Sequence, residues 1–205
     1  IEWVIRRVML SKKIDKIILA IPKCKKSLIF FELKSKYPIE IFSGDENNVC
    51  KRFSGVISKY NLDHIVRICG DNPFIMCREI DRLVNTHIDS NYDYSFNHIP
   101  ALNNNYIDGV GAEIFTSKVF KNFYSKNLNN SQKEHVTKYI WDNLSLFKIN
   151  IIKAPKDLSY SNIKLDIDDV NDYDYIKELI KLYMQNYKLD KPEDFSVPKL
   201  IKLIK

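Results

Sequence analysis

Residues 64–73 read His64-Ile65-Val66-Arg67-Ile68-Cys69-Gly70-Asp71-Asn72-Pro73. The first six form a branched, apolar run broken only by Arg67, which is the pattern of a short buried β-strand. The next four stop it. Gly70 lets the backbone approach a ligand closely, and Pro73 forces the chain to turn away. Asp71 is thereby presented at a strand tip, and in an open α/β sheet ligands bind beyond the carboxyl ends of the strands.

Upstream of this run, residues 47–60 have helical spacing and residues 39–42 read as a strand. Before them come a lysine-rich helix over 27–36, a β-rich run over 16–20 and a helix over 2–12, in which Trp3, Val4, Ile5, Val8 and Met9 fall at helical spacing. Helices of about ten residues between strands of about five are the signature of βαβ units. The right-handed crossover rule then favours a doubly wound, mostly parallel sheet. Downstream the pattern loosens. Helices are expected over 79–88, 118–125, 131–142, 170–187 and 197–204, and strands over 92–96, 111–115, 147–153 and 163–167. Residues 102–108, with Asn103, Asn104 and Asn105 in succession, read as a loop. There is no internal repeat and no composition break, so residues 1–205 are expected to form one domain.

The chain has 205 residues, 45% of them hydrophobic and 28% charged, enough to bury a sizeable core and too apolar for global disorder. Its net charge of +6 comes from 32 basic and 26 acidic residues. The lysines are scattered, not gathered in the stripe that a nucleic-acid interface needs, so no nucleic-acid partner is expected. A modest positive field also suits an anionic substrate. The four cysteines form no CxxC pair and have no histidine at metal-ligand spacing, which points to a reducing compartment. With no signal peptide and no apolar run near the ~20 residues a membrane span requires, a cytoplasmic protein without membrane contact is expected.

Two acidic groups attract chemistry. A carboxylate at Asp71 is well placed for Mg²⁺, which takes oxygen ligands and bridges to substrate phosphates; equally, it suits a turn in which Asp71 bonds local backbone. In Leu165-Asp166-Ile167-Asp168-Asp169, strand alternation puts Asp166 and Asp168 on one face, while Asp169 is a natural helix N-cap. Asp168 is therefore assigned to the metal and Asp169 to the cap, the alternative being a purely structural role for these acids at the helix start. Ser43-Gly44-Asp45 follows a strand, with Arg52 two turns into the next helix, and such a turn either contacts a nucleotide or simply joins two elements. Arg67, inside a strand, needs a partner if buried. Ser131 and Glu134 match a capping box. That leaves His135 over, and a lone histidine is more often structural than catalytic.

Taken in order, these residues resemble a known family. Phe42-Ser43-Gly44 with Val49 and Arg52 is followed by Gly70-Asp71-Asn72-Pro73, then Tyr92-Asp93-Tyr94 with Asn97. Asp108-Gly109, Glu113-Ile114-Phe115, Glu134-His135-Val136-Thr137 with Tyr139-Ile140, and Lys164 with Ile167-Asp168 complete the series. The chain is similar to the spore-coat polysaccharide cytidylyltransferases, which are CMP-Kdo synthetase-like. The resemblance implies a nucleotide-diphospho-sugar-transferase-like fold, CTP as donor, a sugar acceptor (an acidic or keto-deoxy sugar), and a possible homodimer. It implies that Asp71 and Asp168 are the catalytic carboxylates and hold Mg²⁺. Ser43, Gly44, Arg52 and Gly70 would bind nucleotide, and Asn97, Asp108, Glu113 and His135 would line the acceptor pocket.

The family opens with a strand and a loop of the type A-R-x-x-S-x-R-L-x-x-K, which wraps the triphosphate. The sequence opens directly on a helix, so these 205 residues are expected to lack that first strand and loop and to turn over CTP poorly. Ile21-Pro22-Lys23 also departs from the family's usual residues after that strand. Two alternatives stand beside this reading. Asp166-Ile167-Asp168 is a D-x-D of the kind that glycosyltransferases use to hold a metal and a nucleotide sugar. The missing loop would equally suit a catalytically degenerate relative.

Overall fold

The structure is a computed structural model that describes residues 1–98 and 101–205. Helix α1 (Glu2–Val8) is shorter than its periodicity predicts. Beyond Val8 the chain is captured by another element: the Asp81 carboxylate accepts from Ser11 Oγ at 2.5 Å and from the Lys12 amide at 3.0 Å. Strand β1 (Ile18–Pro22) pairs in parallel with β2 (Glu40–Gly44), Ile18 standing opposite Glu40. The lysine-rich link between them is a 3₁₀ turn over Lys25–Glu32 running into a four-residue helix, α2 (Leu33–Lys36).

Helix α3 (Val49–Tyr60) starts where Asn48 accepts from the Lys51 amide at 2.8 Å, and stops at Asn61 in the left-handed region. Strand β3 (His64–Arg67) follows. The next helix, α4 (Cys77–Ser90), buries Glu79, Ile80, Leu83, Val84 and His87, a stripe at helical spacing. The second sheet runs β3-β5-β4-β6, where β4 is Tyr94–Phe96, β5 is Glu113–Thr116 and β6 is Ile149–Ile151. β5 lies antiparallel to both β3 and β4, while β4 and β6 are parallel.

Alternation along β5 sends Ile114 and Phe115 to opposite faces. Ile114 joins a core with Phe74, Ile80, Leu83, Tyr183 and Leu200; Phe115 joins a second with Cys50, Ile57, Tyr94, Phe96 and Phe120. Both faces of the sheet are thus covered, as the α/β expectation requires. Among the described residues β1 and β3 share no backbone pairing, and a cavity of about 720 Å³ separates them.

After β5 come α5 (Ser117–Tyr124), α6 (Asn130–Glu134) and α7 (Lys138–Asp142). The single helix expected over 131–142 is therefore two. The chain breaks at His135 because Val136 is buried and the Thr137 hydroxyl turns inward to Glu113. The capping box is also displaced. Asn129 accepts from the Gln132 amide and Gln132 Oε1 from the Asn129 amide, so Ser131 and Glu134 do not form it.

The strand expected over 163–167 is reduced to one bridge, Asp108 with Lys164, because its neighbours there are loops. Asp169 does cap α8 (Val170–Asn186), accepting from the Asn171 and Asp172 amides. Helix α9 (Val197–Ile204) closes the chain. Among the described residues no helix is long and apolar enough to cross a membrane, and all four cysteines are free thiols.

Candidate active site

Three loops converge beyond the tip of β3. The Asp71 carbonyl accepts from the Ile167 amide at 3.0 Å, tying the Gly70-Asp71-Asn72-Pro73 turn to the segment before α8. That same segment embraces Asp108: the Asp108 amide donates to Ile163 at 3.1 Å, and the Leu165 amide donates to Asp108 at 3.1 Å. Asp71, Asp108, Asp166 and Asp168 are gathered as a result, with Lys164 among them.

Gly109 makes the approach possible. Its φ of +83° suits glycine, and a Cβ there would stand 2.6 Å from the Asp166 amide nitrogen. The Asp108 carboxylate, which accepts from the Gly109 amide, is pushed up to about 6 by burial and then by the neighbouring Asp166 charge. Asp71 sits at the open tip of its turn, yet partial burial and then Asp168 raise its pKa as well. Asp166 is raised mainly by burial, and its Oδ1 is buried without a hydrogen-bond partner.

The exposed Lys164 ammonium is held by Asp168 at 2.8 Å and Asp172 at 2.6 Å, with Asp166 at 3.8 Å. Crowded carboxylates with an orphaned oxygen are a donor set suited to a hard divalent cation, and all the donors are oxygen. Among the described residues, however, no three His, Cys, Asp or Glu side chains converge as a ready-made cage. A metal here would use one or two carboxylates and complete its shell with water and substrate phosphate, which is the habit of Mg²⁺.

Sequence reasoning singled out Asp71 and Asp168 directly. The sequence marks Asp166 as sharing a face with Asp168 and as the first residue of the D-x-D, and Asp108 only through the family resemblance. Their proximity to Asp71 depends on a backbone pairing between loops, which leaves no periodic trace in the sequence.

The other expected residues lie elsewhere. Ser43 and Gly44 end β2, where the Gly44 carbonyl accepts from the Lys23 amide at 2.7 Å. Arg52 folds over that turn, its Nη1 donating to the Asp45 carbonyl at 2.7 Å; its Nε is buried without a partner. Arg52, Gly70 and Asp71 all line the cavity between β1 and β3. Asn97 is wholly buried, and both ends of its amide are engaged: Nδ2 donates to the Glu79 carbonyl and Oδ1 accepts from the Ala112 amide. His135 is exposed at the break between α6 and α7.

Glu113 is likewise inaccessible. Its carboxylate accepts from Arg67 Nη1 at 2.5 Å, from Thr137 Oγ1 at 2.9 Å and from the Tyr94 hydroxyl, with His98 Nε2 4.0 Å away. Burial is the largest influence and works against its ionisation, but the Arg67 charge together with His98 and the hydrogen bonds from Tyr94 and Arg67 outweighs it and holds Glu113 below the usual carboxylate range. Of this network, Tyr94, Thr137 and His98 were not singled out as site residues from sequence. The cross-strand pairing that sets Arg67 opposite Glu113 becomes visible only once β5 is known to run antiparallel to β3.

The family model for cytidylyltransferases matches residues 1–195. An uncharacterized protein of Methanocaldococcus jannaschii is 34% identical over 181 residues, which is 88% of this chain and 72% of that protein. The Bacillus subtilis spore coat polysaccharide biosynthesis protein SpsF is 29% identical over 170 residues, 82% of this chain and 66% of SpsF. Among solved structures, a cytidylyltransferase from Leptospira borgpetersenii superposes with a TM-score of 0.84 at 24% identity, covering 98% of this chain and 81% of that one. A CMP:2-keto-3-deoxy-manno-octonic acid synthetase complexed with CTP superposes with a TM-score of 0.60 at 12% identity, covering 91% and 88%. The two superpositions show that the chain shares the α/β fold of these structures.

Proposed function

The chain belongs to the cytidylyltransferase family, and from that premise we propose that it transfers CMP from CTP to a sugar, releasing pyrophosphate. The acceptor in this reading is an acidic or keto-deoxy sugar of a surface polysaccharide, a proposal supported by the polysaccharide role named for SpsF and the acid named for the octonic acid synthetase. A sugar hydroxyl attacks the α-phosphorus, the new P–O bond forms as the α–β anhydride breaks, and pyrophosphate departs.

The observation that carries the proposal is the gathering of Asp71, Asp108 and Asp168 around the backbone bond from Ile167 to Asp71. Asp71 and Asp168 would hold Mg²⁺, with Lys164 released from Asp168 to meet the triphosphate. Bound there, the metal would neutralise phosphate charge and favour in-line geometry. Arg52 and Gly70, which line the cavity, and the Ser43-Gly44 turn that Arg52 folds over supply the nucleotide side. Asp108 is the carboxylate that would face the acceptor. Most of the rate would come from positioning and preorganised charge.

The test is a set of thermal melts with CTP, UTP, GTP and ATP, each with and without Mg²⁺. A ligand at ~100 times its Kd adds about 2.7 kcal/mol of stability. A shift selective for CTP, dependent on Mg²⁺ and absent in Asp71→Asn is expected. Burial works against the Asp71 charge, so replacing it with a neutral amide is not expected to threaten the fold. No shift with any triphosphate would overturn the reading.

A further inference from the structure

The cations near the carboxylates are not equivalent. Lys164 is saturated by acidic partners. Arg67, four residues before Asp71 on the same strand-and-turn, is different. Its guanidinium carries five N–H donors, and among the described residues Glu113 is its one hydrogen-bond partner, through Nη1. The side chain retains 23% exposure and lines the cavity with Cys69, Gly70 and Asp71.

Glu113, by contrast, is sealed. Tyr94 and Thr137 occupy the carboxylate from the protein side, so it is fixed before any ligand arrives. A buried ion pair of this kind adds little stability over well-packed apolar residues, so stability alone does not account for it. A guanidinium braced through one nitrogen, on a partly exposed side chain that lines a cavity, keeps donors free for a planar or tetrahedral oxyanion.

We propose that Arg67 receives an oxyanion of the substrate, either a phosphate of the nucleotide or the carboxylate of an acidic acceptor, and that Glu113 is the positioning residue that holds its guanidinium. The inference rests on the cytidylyltransferase reading and adds to it a substrate contact made by Arg67, with Glu113 acting only through it.

The experiment compares the wild type with Arg67→Lys and with the double variant Arg67→Met/Glu113→Gln, which leaves no lone buried charge. Titration calorimetry measures CTP and, as a neutral probe, cytidine, with Mg²⁺ present. Pyrophosphate release measures KM and kcat for a 2-keto-3-deoxy sugar acid. If the oxyanion is a phosphate, the double variant keeps cytidine binding and loses ten- to a hundredfold in CTP affinity, the scale of one charged hydrogen bond. If it is the acceptor carboxylate, CTP affinity holds and KM for the sugar acid rises by about that factor while kcat is largely kept. Arg67→Lys keeps the charge without the fork; it should recover part of either loss, and it carries the test if the double variant fails to melt cooperatively. Unchanged CTP affinity and unchanged KM in a folded variant would overturn the role of Arg67 while leaving the cytidylyltransferase reading intact. A wild type that binds no CTP would remove both.

Discussion

Gly109 decides more than its size implies. At φ +83°, with Leu165 and Asp166 backbone atoms within 3 Å of where a Cβ would stand, it lets Asp108 close against the segment that carries Asp166 and Asp168. Alanine at this position would pay in left-handed strain and in displaced backbone, roughly 1–3 kcal/mol for the strain alone. Gly109→Ala is therefore expected to lower the midpoint in a urea melt and to weaken Mg²⁺-dependent CTP binding together. A variant that lost neither would show that the two loops can separate without consequence. Gly111 is held by the same kind of constraint, since a Cβ there would overlap the Asn97 carbonyl. Around Glu113 the constraint is electrostatic. Glu113→Ala would leave Arg67 largely buried and unpaired, a loss of about 3–5 kcal/mol for breaking such a pair. The double replacement of both charges should cost much less, and comparing the two melts separates the pair's net worth from the penalty of a lone charge.

Among the elements, α8 shows how local chemistry positions a site. Its N-terminus is set by Asp169, whose carboxylate accepts from two amides, and the preceding residues are thereby presented toward Asp71 and Asp108. Asp169→Ala should cost about 0.5–2 kcal/mol, the usual range for a lost cap. Circular dichroism would check it through fraying of α8; an unchanged melt would mean that Asp172 and Lys164 hold the helix start without help. The break between α6 and α7 is the opposite case, an element divided by a tertiary contact. Residues 131–142 have helical periodicity throughout, yet the bond from Thr137 to Glu113 and the burial of Val136 interrupt it. Local propensity lost there because a buried carboxylate needed a third donor.

For the molecule as a whole, the gathered carboxylates leave a signature in acid. Asp108, raised to about 6, and Asp71 and Asp166, raised in the same direction, hold protons in the folded state more tightly than in the unfolded chain. Their contribution to stability is fully present below the unfolded carboxylate range, near pH 4, and is lost as pH rises through the folded values. Without divalent cation, the wild type should therefore lose part of its stability between about pH 4 and pH 6, and Asp108→Asn should flatten that segment and melt higher at pH 7.5. Glu113 runs the other way: its lowered pKa gives stability that disappears as pH falls, so the comparison between variants is the informative measurement. A slope identical in wild type and Asp108→Asn would mean that Asp108 titrates normally.

The alternation of helices and strands, the turn after β3, the N-cap at Asp169 and the acidic pair around Ile167 were all legible in the chain itself. Each depends on residues close in sequence: apolar spacing, a Gly-Asp-Asn-Pro stop, a side chain within reach of its own next amides. The order of motifs carried the family for the same reason. Sequence did not disclose the antiparallel run of β5, the collapse of residues 163–167 from strand to bridge, or the sealing of Asn97 and Glu113 away from solvent. Those depend on which distant segment arrives as neighbour. A buried carboxylate takes its partners from wherever the fold delivers donors, and for Glu113 these were Arg67, Tyr94 and Thr137 on three separate elements.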